Sequence, residues 1–209
     1  MLTVNEIFYS IQGESSWAGE PCIFIRLTAC NLRCTYCDTT SSFYDGKKMN
    51  IQEILKEIQK FNCKLVEVTG GEPLLQEESY PLMDILVDNS YQVLLETSGS
   101  ILVNRVNSKV IKIIDFKTPS SRMTHHNVWD NLSYLNTQID EVKFVVGDRF
   151  DYEWSKSVIT QYGVLNRCHK VLMSPTHNVL SLGTLGRWIR DDGLPVKLQV
   201  QLHKYLKMN

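Results

Sequence analysis

What the chain lacks narrows the reading first. Lysine and arginine together number 22 against 23 acidic residues, so the formal net charge is -1 and there is no global basic surplus to hold nucleic acid. No apolar run reaches membrane-spanning length, because charged residues interrupt every hydrophobic stretch. The first ten residues contain Asn5 and Glu6 and show no basic region followed by an apolar one. They do not read as a signal peptide, and a cytoplasmic protein is expected. Internal repeats, low-complexity tracts and linkers are absent as well. Over 209 residues with ordinary apolar (43%) and charged (22%) fractions, this composition predicts one domain with a substantial core.

Six cysteines are present, and their distribution is uneven. Cys22, Cys63 and Cys168 are scattered, and burial as small hydrophobic residues is the simplest reading of each. Cys30, Cys34 and Cys37 form a C-x3-C-x2-C segment, Cys30-Asn-Leu-Arg-Cys34-Thr-Tyr-Cys37. In a reducing compartment, clustered thiols point to metal rather than disulfides. Three local thiolates suit an iron–sulfur cluster with one open coordination position, or structural zinc completed by a fourth ligand from elsewhere. Spacing alone leaves these two readings balanced, since none of the other cysteines or the five histidines stands at a paired spacing.

Periodicity predicts strands over 4–11 and 21–28, then a loop through the cysteines to about Lys48. A helix follows, capped by Asn50 with Glu53 as its capping-box partner. Further strands are expected over 65–68, 92–96, 110–116, 141–146, 170–173 and 196–202. Helices are expected over 81–87, weakly near Trp129, along the Trp154, Val158 and Tyr162 face, and after Asn178. Short, nearly all-apolar strands alternating with amphipathic helices indicate a parallel sheet covered by helices. Polar residues collect where five of these strands end: Arg26, Thr69, Glu96, Asp115 with Lys117, and Ser174 with His177. That recurrence favours an α/β barrel whose site lies at its C-terminal mouth. The last strand alternates Val196, Leu198, Val200 and Leu202 with Lys197, Gln199, Gln201 and His203, which predicts one buried and one polar face.

The cysteine segment, with Tyr36 before its last cysteine, resembles the radical S-adenosylmethionine superfamily signature. Thr69-Gly70-Gly71-Glu72-Pro73 resembles that superfamily's GGEP segment. Glu6-Ile-Phe-Tyr-Ser-Ile-Gln-Gly-Glu14, Cys37-Asp38-Thr39, Glu96-Thr-Ser-Gly99 and His203-Lys-Tyr-Leu206 extend the likeness to the 7-carboxy-7-deazaguanine synthase family, over nearly the whole chain. The resemblance implies a single-domain partial (β/α)6 TIM-like barrel, with a short N-terminal extension and a closing C-terminal tail. It implies a [4Fe–4S] cluster on Cys30, Cys34 and Cys37, with S-adenosylmethionine on its open iron and Mg2+ on Thr39. Contacts to S-adenosylmethionine are implied at Thr35, Tyr36 and Cys37, at Gly71 and Glu72, at Asp115, Phe116 and Lys117, and at Ser174, Pro175, Thr176 and His177. Substrate contacts are implied at Ile11, Gln12, Gly13, Glu14, Arg26, Thr69, Glu96, Gln201, His203 and the terminal Asn209. The implied reaction contracts the ring of 6-carboxy-5,6,7,8-tetrahydropterin with loss of ammonia. A homodimer and a flavodoxin- or ferredoxin-like electron donor are implied too. The readings that compete are a small radical activase and a non-catalytic zinc module. Ser15 stands where the family usually has glycine, at a cost in backbone freedom.

Overall fold

In the computed structural model, which describes residues 1–206, nine strands form one sheet in the order β3-β1-β2-β4-β5-β6-β7-β8-β9. Its centre is a run of six parallel strands: β2 (Pro21–Leu27), β4 (Leu65–Gly70), β5 (Gln92–Thr97), β6 (Ile111–Asp115), β7 (Glu141–Val146) and β8 (Lys170–Pro175). Antiparallel β1 (Leu2–Ile11) and β3 (Lys47–Met49) extend one edge, and β9 (Lys197–Leu198) extends the other. The expected six parallel strands are present. The short β3 falls where sequence periodicity predicts only loop.

Helices α1 (Ile51–Ile58), α2 (Ser79–Asp88), α3 (Arg149–Gln161) and α4 (Leu182–Asp191) cover the outside. The α1 capping box forms as expected: Asn50 Oδ1 accepts from Glu53 N at 2.9 Å, and Asn50 N donates to Glu53 Oε2 at 2.7 Å. The weak helix near Trp129 is a 3-10 segment, Trp129–Tyr134, held by Trp129 stacking on Tyr162 and packing on Phe116. Two expectations are corrected. Ser181, not Asn178, caps α4, accepting from Thr184 N at 3.1 Å. Asn178 instead takes a left-handed turn (φ 60°), which its short polar side chain tolerates better than most. The last strand is only two residues long, and Leu202–Leu206 forms a short helix, α5.

Alternation along each strand divides the residues between two faces. Ile23, Ile25, Val66, Val68, Val93, Leu95, Ile114, Val142 and Phe144 face outward and join the main core beneath the helices. Cys22, Phe24, Leu65, Leu94, Ile111 and Ile113 face inward as a smaller apolar cluster that floors the barrel. Above that floor the inner face turns polar, at Glu67, Thr69, Glu96, Asp115 and Lys143. The sheet does not close on itself: its two edges are β3 and β9, and β3 covers only Leu2–Val4 of β1. The 12–16 segment closes part of this gap: Gln12 reaches Glu67, Glu14 reaches Lys143, and Ser15 N donates to Gln199 Oε1 at 2.8 Å.

Candidate active site

The cysteine loop is fastened before any ligand is considered. Leaving β2, Ala29 adopts φ 79° and its N–H bonds to Ser42 O at 2.8 Å. Thr35 Oγ1 donates to Ser120 O at 2.6 Å, and Arg33 Nη1 to Cys30 O at 2.9 Å. Gly70 and Gly71 bring the loop after β4 against this segment. A Cβ on Gly71 would sit 2.2 Å from Ala29 O and 2.8 Å from Cys30 Cβ, and one on Gly70 would meet Leu27 O at 2.1 Å. Glycine is needed here for the approach of the cysteine loop itself. Glu72 is the clamp behind it. Its fully buried carboxylate accepts from Thr97 Oγ1 (2.9 Å), Ser98 N (2.8 Å), Ser98 Oγ (2.6 Å) and Leu74 N (3.0 Å).

Cys30, Cys34 and Cys37 all line one cavity of about 560 Å³ at the C-terminal mouth of the barrel. The same cavity gathers Thr35, Tyr36 and Thr39, Gly71, Asp115 with Lys117, and Thr176 with His177. Ile11, Gln12, Gly13, Glu14, Arg26, Thr69, Glu96, Gln201 and His203 also line it. The remaining expected contacts lie off this wall. The Glu72 carboxylate is committed to the clamp, and Phe116 is buried against Trp129 and Phe144. Ser174 is fully buried, and Pro175 lines a neighbouring groove. Asn209 lies outside the described residues.

The inner wall is dominated by one lysine. Lys143 Nζ donates to Glu14 Oε2 at 2.7 Å and to Glu96 Oε1, and it lies 3.5 Å from Asp115 Oδ2. Burial pushes Glu96 up to about 8, with Lys143 opposing the rise and Glu14 adding to it. Burial also raises Glu67 to about 7, against the Gln12 hydrogen bond of 2.5 Å. For Glu14 burial acts in the same direction, but Lys143, Gln201 and His203 outweigh it and hold the carboxyl below its usual range. Lys117 pairs with Asp115 at 2.9 Å, which overcomes burial and raises the ammonium. Arg26 bonds Glu6 through Nε at 2.7 Å and lies over Phe8, so it is held in the wall by this chain's own groups.

The tail forms the last side. Leu202 N donates to Gly13 O at 2.8 Å, Gln201 Nε2 to Glu14 Oε1 at 2.9 Å, and Gln199 Nε2 to Glu14 Oε2 at 3.0 Å. The polar face expected on a last strand is therefore largely turned inward, with Gln199 buried. His203 packs so closely on Gly13 that a Cβ there would lie 2.2 Å from its Nδ1, and burial lowers the imidazole's pKa. Lys204 reaches Asp38 at 2.6 Å and ties the tail to the cysteine loop.

The donors present suit a thiolate-bound cluster with a polar cofactor beside it. The three loop cysteines are free thiols, and Cys22, Cys63 and Cys168 do not line the cavity, so no fourth thiolate joins them. Asp115 Oδ1 and Thr176 Oγ1 are buried without a partner on the cavity wall, at the ends of β6 and β8. Orphaned acceptors and hydroxyls at a cavity wall call for a ligand's polar groups. Thr39 lines the cavity with its hydroxyl on Asp38 Oδ1 at 3.1 Å. Among the described residues, no three His, Cys, Asp or Glu side chains converge to hold a single metal ion. A magnesium ion here would need substrate oxygens to complete its shell. Sequence reasoning missed Glu67 and Lys143. Their signal is parity: each is a charged residue at an inward position of a largely apolar strand.

A radical SAM superfamily profile matches residues 24–116. The chain is 45% identical over 207 residues to the 7-carboxy-7-deazaguanine synthase of Chlorobaculum tepidum, spanning 98% of this chain and 94% of that one. It is 44% identical over 219 residues to the protein of the same name from Koribacter versatilis, spanning 98% and 96%. A crystal structure of QueE from Escherichia coli superposes with a TM-score of 0.78 at 23% identity, covering 95% of this chain and 94% of that one, a likeness of fold.

Proposed function

The chain belongs to the 7-carboxy-7-deazaguanine synthases of the radical SAM superfamily, and from that premise we propose which of its residues carry the reaction. The enzyme forms 7-carboxy-7-deazaguanine, and we assign it 6-carboxy-5,6,7,8-tetrahydropterin as substrate, with Mg2+ as a further cofactor. A [4Fe–4S] cluster and S-adenosylmethionine, when bound, supply the electron and the hydrogen-abstracting radical. Cys30, Cys34 and Cys37 hold the cluster. The orphaned Asp115 Oδ1 and Thr176 Oγ1, with Gly71, Lys117 and His177, receive the cofactor. Gln12, Gly13, Glu14, Arg26, Thr69, Glu96, Gln201 and His203 surround the pterin. Thr39 contributes its hydroxyl to magnesium.

One observation carries this reading: the three thiols open into the same cavity as the Glu14–Lys143–Glu96 cluster, so cluster chemistry and a polar substrate edge share one chamber. No helix among the described residues is long and apolar enough to cross a membrane, and all six cysteines are free, which supports a cytoplasmic enzyme. A homodimer and a flavodoxin- or ferredoxin-like donor complete the proposal.

The test is anaerobic reconstitution with iron and sulfide, followed by dithionite, S-adenosylmethionine, magnesium and the pterin. Carboxydeazaguanine is expected, and its absence despite a full cluster spectrum overturns the substrate assignment. Thr39→Ala should weaken the magnesium response and leave the cluster spectrum intact. An unchanged magnesium titration removes Thr39 from the site.

A further inference from the structure

Lys143 is a nearly enclosed cation on the inner wall, with 5% of its side chain exposed, and nothing above assigns it a task. It projects inward from the middle of β7, where its register partner on β6 is Asp115. Its ammonium meets Glu14 from the 12–16 segment and Glu96 from β5, and it faces Asp115 from β6. Glu14 in turn is held by Gln199 and Gln201 from the tail. One side chain thus joins the centre of the barrel to the two pieces that close its open side. Three donors fix the Glu14 oxygens, and of these only Lys143 brings charge.

We propose that Lys143 is the positioning residue of this site: it fixes Glu14 and Glu96 in the arrangement in which they face the substrate, and it supplies the counter-charge that the substrate-facing carboxylates require. This rests on the functional reading above, since Glu14 and Glu96 are taken as pterin contacts. The physical argument concerns burial. Glu14, Glu67, Glu96 and Asp115 share one small chamber, and the cations lining it are Lys143, Lys117 and Arg26, with His177, His203 and the Lys204–Asp38 pair also on its wall. Lys117 is committed to Asp115, and Arg26 to Glu6. Of these cations Lys143 alone is bonded to Glu14; His203 acts on it only from a distance, and burial lowers the imidazole's own pKa. Without it, a carboxylate in such a place takes up a proton rather than remain a buried, unpaired charge. A protonated Glu14 would lose acceptor capacity and repel the N–H donors it should receive.

The variants are Lys143→Met, which keeps length and removes charge, and Lys143→Arg, which keeps charge. In the reconstituted enzyme, Lys143→Met should retain the cluster spectrum and substrate-free cleavage of S-adenosylmethionine, while KM for the pterin rises about tenfold to a hundredfold, the scale of one lost charge-assisted hydrogen bond. Raising the pH toward 9 should recover part of that KM by ionising Glu14, and Lys143→Arg should recover part of it at neutral pH. In the double variant with Glu14→Gln, the KM rise should be smaller than the product of the two single rises, because both changes remove the Lys143–Glu14 interaction while only Lys143→Met removes the contact with Glu96. The double variant also removes the buried charge mismatch, so it serves if Lys143→Met alone fails to fold. An unchanged KM, a KM rise indifferent to pH, or additive effects in the double variant would overturn the proposal. If the wild-type enzyme leaves the pterin unconverted, the functional reading fails by itself, and infrared spectra of the cluster-free protein then decide. Lys143→Met must show one more protonated carboxyl at neutral pH than wild type, and an equal count sinks the role of Lys143.

Discussion

Two buried lysines on opposite faces of the same sheet show how this molecule separates stability from chemistry. Lys112 on β6 points outward, beneath the helical layer, and pairs with Asp140 at 2.8 Å. Asp140 is fully buried and has no oxygen to spare: it also accepts from Lys112 N at 2.8 Å and from Asn136 N at 2.7 Å. Lys143 on β7 points inward and faces three carboxylates, Glu14, Glu96 and Asp115, all of which line the cavity. The outer pair is closed, one charge to one charge. The inner group is open, with more acceptors than its lysine can neutralise and one orphaned oxygen on Asp115. A closed pair organises the fold, and an open one is available to a ligand.

The sharpest way to break this contrast is to remove each cation in turn. Lys112→Met leaves Asp140 unpaired in the dry layer and should cost about 3–5 kcal/mol of unfolding free energy, with kcat/KM per folded molecule unchanged. Lys143→Met should cost less stability, because Glu14 can take up a proton and water from the cavity, and should show its loss in KM. Denaturant unfolding beside steady-state kinetics checks both. Equal stability losses would erase the distinction.

Glu72 tests whether a carboxylate within the site's own motif can belong to the closed class. Its oxygens already receive Thr97, Ser98 and Leu74 donors, so Glu72→Gln places an amide N–H against donors. The expected loss is about 2 kcal/mol, with poorer cluster retention and unchanged affinity for S-adenosylmethionine in the folded fraction. Weakened cofactor affinity in fully folded protein would return Glu72 to the ligand contacts.

The two faces also differ in what pH does to them. Glu67, raised to about 7, and Glu96, raised to about 8, owe their shifts first to burial. An acid whose pKa is raised on folding gives stability that is complete below its unfolded value near 4.5 and is lost as pH climbs through the folded one. The cluster-free protein should therefore lose stability progressively from about pH 5 to about pH 8 and level off above that. Glu96→Gln should flatten that slope. A flat wild-type curve would show that the inner carboxyls stay ionised throughout.

How much of this was legible in the sequence follows from range. The cysteines and Gly70-Gly71 announce themselves because cluster binding and close backbone approach are encoded by local spacing. Lys143 and Glu67 do not, because their meaning depends on strand register: β2 places Phe24 beside Glu67, and β6 places Asp115 beside Lys143. Parity marks both as inward, but only tertiary structure brings Glu14 across the barrel gap to meet the lysine. The clamp role of Glu72 is hidden from the sequence because its partners Thr97 and Ser98 lie about 25 residues downstream, across a helix. The last strand fails for a related reason. Alternation from 196 to 203 reads the same whether the chain pairs with a neighbour or runs as an extended tail. Here pairing ends after Leu198: Gln199 still donates its N–H to Met173 O at 2.8 Å, while its side chain and that of Gln201 reach Glu14.

Ser15 gives the smallest and most selective test of the contrast. It sits in the segment that closes the inner chamber, at φ 64°, a conformation that costs a non-glycine residue about 1–2 kcal/mol. What holds it there is the fit around it: its N–H donates to Gln199 Oε1 at 2.8 Å, and its hydroxyl accepts from Trp17 N at 3.1 Å. Ser15→Gly relieves the strain but gives up the hydroxyl bond and loosens the unfolded chain, both of which offset the gain. The net effect expected is a stabilisation of no more than about 1 kcal/mol, with KM for the pterin unchanged, since the Ser15 N–H remains to hold Gln199. If KM falls together with the gain in stability, the strained turn had been displacing Glu14 from its best geometry. The inner face would then have been carrying strain at the expense of function as well as of stability.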